Sequence, residues 1–497
     1  MAQKVEIDAR PRIPANLLEG AAVVAITAAA AVARLVPLFG GQPGGLYPDE
    51  AAEGLSALRI LADPLYRPVF IDENGGREAL FAYLVAGAFQ FTGPTVTGIR
   101  LTSALVGLVG ILATWLLLRR FGRVVALVGI AWMAGSPWLI ATSVLGLRNG
   151  LTVPFAALAG LGLLAWADRP RRSYALLAGL AVGVGVWTYQ PLKLTPLLVV
   201  AWLLWLRHSN RPLFDRLWTD RLWLLLGYAV ALAPYLWTAL SDPINYFGRI
   251  AGVSPLAPAM RRTGFLTHTL DTLGMFFVAG DPNPRHDISA LPVLLWPLPL
   301  LGALGLWYAV RRRHDPAHGL VLAALGVFLL PALIALEGDA PHLQRSLALA
   351  PYIAGMLGLG LVEVVRLVRP AGRALAIAAG AAGAIALLLT GTYGGLAFAL
   401  RPVAERYAAF DYHVVSLAAA GAQPHTAVMV NTYDAQTVRF LDGPTVSIFV
   451  PGDEVPNDVA LAALSRDDFP AARRAAATVY ARDPSGNPAV WIAPPYS

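Results

Sequence analysis

The 497-residue chain is 57% hydrophobic and only 14% charged, with a mean hydropathy of +0.58, which excludes an ordinary soluble domain. Its net charge of +7 and pI near 9.7 do not point to a nucleic-acid partner, because the basic residues sit in short loops between apolar runs. With no cysteine, disulfides, thiolate metal sites and cysteine nucleophiles are excluded.

Apolar runs of about twenty residues recur along the chain, the pattern of a polytopic helical membrane protein. Residues 1–19 are mixed in charge and lack a small-residue cleavage site, so residues 20–38 are expected to be a true first span. A glycine-rich exit, Gly40-Gly41-Gln42-Pro43-Gly44-Gly45, leads to Tyr47-Pro48-Asp49-Glu50. Asp49 and Glu50 open a short amphipathic segment, residues 50–61, too charged to span. An acidic pair at a membrane surface suits a base acting on a lipid-borne substrate. Proline and carboxylates also favour a helix start on their own account. Residues 78–91 are apolar but short and end at Thr92-Gly93-Pro94, so they are placed flat in the interface.

With the N-terminus inside, the loops at residues 119–123, 169–172, 207–221, 311–313 and 366–373 all put their arginines on the cytoplasmic side. About eleven spans result, an odd number that puts the C-terminus outside. Residues 1–400 are read as the membrane domain. Residues 401–497 are read as a small extracytoplasmic α/β domain, with strands at 425–431, 445–450 and 490–493 and a helix over 406–420.

Four polar groups fall on the outer side beside Asp49-Glu50. Asn74-Gly75-Gly76-Arg77-Glu78 is either an anion-cradling turn, with Arg77 as its cation, or an ordinary Asn-Gly turn. Arg148-Asn149 offers a bidentate phosphate ligand or a snorkelling interface anchor. Tyr189-Gln190-Pro191-Leu192-Lys193 contains the only lysine after Lys4, a phosphate ligand or a stray interfacial cation. The fourth group pairs Arg285-His286 in the 280–287 turn with His342 and Arg345 in the 338–345 turn, together an electropositive pocket for a phosphodiester or pyrophosphate. Asp281, His286, Asp339 and His342 also suit a divalent metal. No HxxxH or HExxH spacing supports one, so no metal ligand is assigned and a divalent metal stays as the alternative. The chain has no phosphate-binding P-loop, serine elbow or dinucleotide fingerprint.

The first outer loop with its acidic pair, "GREALFAYLVAG", "GIRLTSALVGLVGILATWLLLRRFG", "SPWLIATSVLGLRNGLTVPFAALAGLGLLAW" and "PHLQRSLALAPYIAGMLGLGL" resemble the GT-C membrane glycosyltransferases. The resemblance is to the bacterial branch of glycosyltransferase family 39, the protein O-mannosyltransferase and aminoarabinose-transferase group, over about the first four hundred residues. It implies a sugar moved, with inversion, from a polyprenyl-phosphate donor lipid to a glycan, lipid or protein acceptor on the outer face of the plasma membrane. No nucleotide or redox cofactor is implied. Asp49 then takes the place of the base and Glu50 that of its supporting neighbour, while Arg148 stands at the family's arginine. Asn149 replaces the aspartate that follows that arginine, and Arg77-Glu78-Ala79 replaces a proline pair. A lipid-linked sugar flippase, an oligosaccharide ligase of similar architecture and a scaffold with a vestigial membrane part are the competing readings. Matched halves with broken spans, which a flippase would favour, are not seen in the sequence.

Overall fold

The computed structural model describes residues 14–39, 45–244, 264–334 and 341–495. Asp339 and residues 40–44 of the glycine-rich exit lie outside them. The chain opens with α1 (Ala15–Phe39), then α2 (Pro48–Ala62), a two-residue hairpin β1 (Phe70–Ile71) and β2 (Arg77–Glu78), and α3 (Leu80–Thr92). The bundle continues with α4 (Val96–Leu118), α5 (Arg123–Gly135), α6 (Pro137–Val144), α7 (Thr152–Asp168), α8 (Arg172–Val184), α9 (Thr195–Ser209), α10 (Arg211–Thr219) and α11 (Arg221–Ser241). After it come α12 (Phe265–Gly274), α13 (Leu298–Arg311), α14 (Pro316–Ile334), α15 (Ala350–Val368) and α16 (Arg373–Ala399).

Among the described residues seven helices are long and apolar enough to cross a membrane. The α5–α6 pair, bent by 59°, makes an eighth if it is one span. This is a multi-pass membrane protein. The count falls short of the expected eleven: the shorter apolar helices Arg172–Trp187 and Leu298–Arg311 bring it to ten among the described residues. The apolar α3, at 13 residues, is too short to span.

The break between α5 and α6 frees backbone carbonyls inside the bundle, where no water can satisfy them. Buried Arg34 of α1 supplies the donors, reaching Ala134 O at 3.0 Å and Met133 O at 3.1 Å. Helices α8 and α11 meet through paired glycines. A Cβ on Gly179 would lie 2.0 Å from Leu224 O, and one on Gly227 2.1 Å from Leu176 O. Small residues let these backbones touch where lipid gives helices no hydrophobic reason to associate.

Beyond α16 come α17 (Val403–Ala409), α18 (Tyr412–Gly421), β3 (Thr426–Met429), α19 (Ala435–Asp442), β4 (Ile448–Phe449), β5 (Ala460–Ala463), α20 (Ala471–Arg474), β6 (Thr478–Arg482) and β7 (Pro488–Ala493). The sheet order is β4-β3-β5-β7-β6, with β3 parallel to β4 and β5 and β7 antiparallel to β5 and β6. The sequence reading missed β5 and β6. The first, Ala460–Ala463, is alanine-rich, without the β-branched signal that marks a strand. The helix expected over 406–420 is split at Asp411, whose left-handed backbone (φ 47°) ends one helix and starts the next.

Helix α19 packs on α2 of the first loop. Its Phe440 stacks on Phe89 at 6.3 Å, and Gly54 leaves room for the Phe440 ring. Thr437 Oγ1 donates to Leu46 O at 3.2 Å. The first loop and the C-terminal sheet region therefore form one wall.

Candidate active site

Pro48 at the first position and two carboxylates in the first turn start α2 as local chemistry predicts. Glu50 accepts from the Tyr47 backbone N–H at 3.2 Å, closing that end. The two members of the acidic pair then part company. Glu50 is fully buried: Arg100 Nε meets its Oε1 and Arg100 Nη2 its Oε2, both at 2.8 Å, and the Gly146 N–H adds a further bond at 2.8 Å. With both oxygens occupied, it is a tie between α2, α4 and the chain after α6. It is not an accessible second catalytic carboxylate. Asp49 is half-buried and accepts one side-chain bond, from Asn74 Nδ2 at 2.9 Å.

Asn74 reaches Asp49 because the β1–β2 turn needs it there. Its backbone is left-handed (φ 56°), as asparagine tolerates, and Gly76 follows at φ 87°. The 72–76 segment is thus an ordinary tight turn, with Gly76 N–H on Asp72 O at 3.1 Å, and not an amide cradle. Asn74 is hydrogen-bonded in turn with Gln436 of α19, and Tyr433 donates to the Tyr47 hydroxyl at 2.6 Å.

Behind Asp49 lies a buried charge cluster. Arg77 donates to Ser56 Oγ at 2.6 Å and Ala52 O at 2.9 Å, and lies 3.7 Å from Glu53. Arg148 lies 3.6 Å from Glu53 and 3.3 Å from Glu78, and Lys193 Nζ lies 3.1 Å from Glu78. Tyr189 offers its ring to the Arg148 guanidinium at 5.7 Å. Burial pushes the Glu53 carboxyl up, more strongly than Arg77 and Arg148 pull it down. Glu78 is pushed the same way by burial, but Lys193 and Arg148 outweigh that and hold it below the ordinary carboxylate range. Neither oxygen of Glu53 accepts a hydrogen bond. Asn149 is buried beside Arg148, its Oδ1 also without one.

Three tight 3-10 turns deliver the cations. Arg148–Leu151, Gln190–Leu194 and Leu343–Leu349 each lead straight into a helix, α7, α9 and α15, and the third packs against the other two. Arg148, Lys193 and Arg345 therefore ride on neighbouring turns, although 197 residues separate the first from the last. Arg285 departs from the expected common pocket. It pairs with Asp411 at 2.9 and 3.1 Å and lies 4.3 Å over the Tyr47 ring, which fastens the 281–287 loop to α18. His286 and His342 stack with ring centroids 4.4 Å apart, and with Asp281 they form a group whose donor atoms lie within 4.8 Å of one another. That is metal-ligand spacing which no sequence motif announced.

One cavity borders the cluster at Ser56 and Arg77, and a second lies on the α7–α8 helix pair. A cleft of about 580 Å³ between α2 and α19 is lined by Ser56, Arg59, Asn74, Arg77, Tyr433 and Arg439 among others. An apolar groove of about 380 Å³ runs between α7 and α8, from Phe155 and Val184 to Ala165. At about 1.5 Å per residue, Phe155 to Ala165 spans about 15 Å of helix.

Sequence reading missed Glu53 and Arg100, and named Glu78 only as part of the 74–78 turn and of the Arg77-Glu78-Ala79 replacement. Two signals were present. Glu53 stands four residues after Asp49, on the same helix face, and an arginine one turn into a span requires a buried carboxylate.

A bundle of this order, with an acidic first loop and a C-terminal sheet region packed over it, is the GT-C fold of membrane glycosyltransferases. Residues 79–237 match the family model for dolichyl-phosphate-mannose-protein mannosyltransferases. The crystal structure of ArnT from Cupriavidus metallidurans bound to undecaprenyl phosphate superposes with a TM-score of 0.61, at 14% identity, over 96% of this chain and 97% of that one. An Archaeoglobus fulgidus oligosaccharyltransferase tethered with an acceptor peptide gives a TM-score of 0.53 at 12% identity, over 87% of this chain and 64% of that one. No curated protein matches the sequence.

Proposed function

We propose that the protein is a membrane glycosyltransferase that moves a sugar from a polyprenyl-phosphate donor to an acceptor hydroxyl, with inversion, on the outer face of the plasma membrane. The carrying observation is the contrast within one cluster. Glu50, Glu53 and Glu78 are buried against arginine or lysine, while Asp49 is half-buried beside a cleft wall and held by a neutral amide. A base has to reach its substrate, and Asp49 has that exposure. Asn74 keeps the carboxylate aimed without neutralising it, and Glu50 fixes the helix that carries it.

The departing phosphate needs cations, not a proton donor, since a phosphodiester is already a good leaving group. Arg148 and Lys193 supply them, and the apolar α7–α8 groove, which starts at Phe155 on the helix that follows the Arg148 turn, suits an isoprenoid tail. The cleft under α19 suits a glycan, lipid or protein acceptor, which makes residues 401–497 a separate domain supplying one wall of that site. The positive-inside count of basic loops supports putting this end of the bundle outside. A flippase would need the same cations but no aimed base, and the Asn74–Asp49 contact favours the enzyme.

The test is turnover of radiolabelled polyprenyl-phosphate sugar by purified protein. Asp49→Asn keeps the shape and hydrogen-bonding reach of the side chain but cannot take a proton. Turnover should fall by about a hundred- to ten-thousand-fold, with melting temperature and donor-lipid binding unchanged. Near-normal turnover would leave Asp49 as a helix start and remove the mechanism's centre.

A further inference from the structure

Asp281, in the turn after α12, is 2% exposed. Its Oδ1 accepts from the Asn283 N–H at 2.9 Å, and its Oδ2 accepts from the Leu343 N–H at 2.9 Å and meets His286 Nδ1 at 2.8 Å. Two segments about sixty residues apart thus close on one carboxylate, with the His286 and His342 rings against each other beside it. A hydrogen-bonded clasp is the simplest account of this contact, but it leaves the charge unexplained.

A carboxylate this buried needs a positive partner. Among the described ion pairs of Asp281 there is His286 alone. Two arginines of the surrounding elements are engaged elsewhere, Arg285 with Asp411 and Arg401 with Glu405. A divalent cation satisfies the carboxylate and both neutral imidazoles together.

We propose that Asp281, His286 and His342 bind one divalent first-row transition metal, which fastens the 281–287 loop to the turn that opens α15. Two imidazoles and one carboxylate are a zinc-type donor set, and three protein ligands leave a fourth position for water. Around a tetrahedral zinc with bonds near 2.0–2.1 Å, donor atoms lie about 3.4 Å apart. The present separations, within 4.8 Å, close by rotation of the two half-buried rings. The inference does not depend on the proposed transferase activity, because the readout is metal binding.

Full-length protein in detergent, stripped with chelator, should bind one equivalent of Co²⁺ with visible d–d absorption that Zn²⁺ abolishes. Zn²⁺ should raise its melting temperature. His286→Ala and His342→Ala should each weaken Co²⁺ binding about a hundredfold or more and lose the Zn²⁺-dependent rise, while melting like the stripped wild type. Asp281→Asn, which keeps the side-chain shape, replaces an alanine variant that does not fold and should show the same loss. Absence of stoichiometric binding by the wild type, or undiminished binding in the variants, overturns the proposal.

Discussion

Arg100→Met is the substitution whose consequence the structure specifies most closely. Arg100 is 1% exposed and Glu50 is fully buried. Their two 2.8 Å contacts form a bidentate pair, and Arg100 Nη2 also donates to Gly45 O at 2.7 Å. Methionine fills much of the volume, so little of the cost comes from a cavity. What remains is Glu50, ionised and out of water, with only the backbone N–H groups of Gly146 and Tyr47. Removing one partner of a buried pair costs about 3–5 kcal/mol, a large part of the 5–15 kcal/mol that typically holds a fold together. The exposed Arg211–Asp215 pair, at 2.9 Å, is the control. Arg211→Met should cost less than about 1 kcal/mol. The assay is denaturant unfolding in detergent, with monodispersity followed in parallel. Adding Glu50→Gln to Arg100→Met removes the stranded charge and keeps an acceptor for Gly146, so half or more of the lost stability should return. If Arg100→Met unfolds within about 1 kcal/mol of wild type, or the double variant recovers nothing, Glu50 is not the tie described here.

Two further substitutions bear on the charge cluster. Lys193→Met removes the cation 3.1 Å from Glu78 and should weaken binding of donor lipid by roughly ten- to a hundredfold, equivalent to about 1.4–2.7 kcal/mol; binding at wild-type strength would take Lys193 out of the phosphate site. Glu53→Gln reports through pH. The folded-state pKa of Glu53 is raised from the ordinary 4.5, so its stability contribution is full below that value and is lost as pH rises toward the folded value. The amide should make melting temperature flatter with pH above 4.5 than it is in wild type, and an unchanged slope would refute the assignment.

The sequence was most readable where physics is local. Apolar length marked α1, α4 and α16, and arginine placement marked the loops between them. Pro48, Asp49 and Glu50 announced a helix start, and Asn74-Gly75-Gly76 announced a turn. What could not be read was pairing across long separations. Asp49 and Glu50 look alike as neighbours; only Arg100, fifty residues on, makes one a structural tie and leaves the other accessible. Arg285 stood at a span mouth like Arg148, yet Asp411, 126 residues further on, takes it into an inter-element clasp. Asp281, His286 and His342 were named in the sequence as metal candidates, but with no ligand spacing to select them, because the group is split between two turns and not carried on one helix.

The cluster behind Asp49 also bears on how the proposed donor lipid would be received. Arg77, Arg148 and Lys193 already face Glu53 and Glu78, so the pocket is not the bare positive patch that the arginines and lysine suggest by themselves. Burial changes that balance, because Glu53 is driven toward its neutral form while Glu78 stays ionised. Glu78, meanwhile, holds the Arg148 and Lys193 side chains in place. A phosphate arriving from the α7–α8 groove would thus meet cations already oriented, and lose less of its binding energy to ordering them. The same arrangement leaves the half-buried Asp49 with a neutral amide as its hydrogen-bond partner and no ion pair among the described residues, as the proposed base in an otherwise cationic site requires.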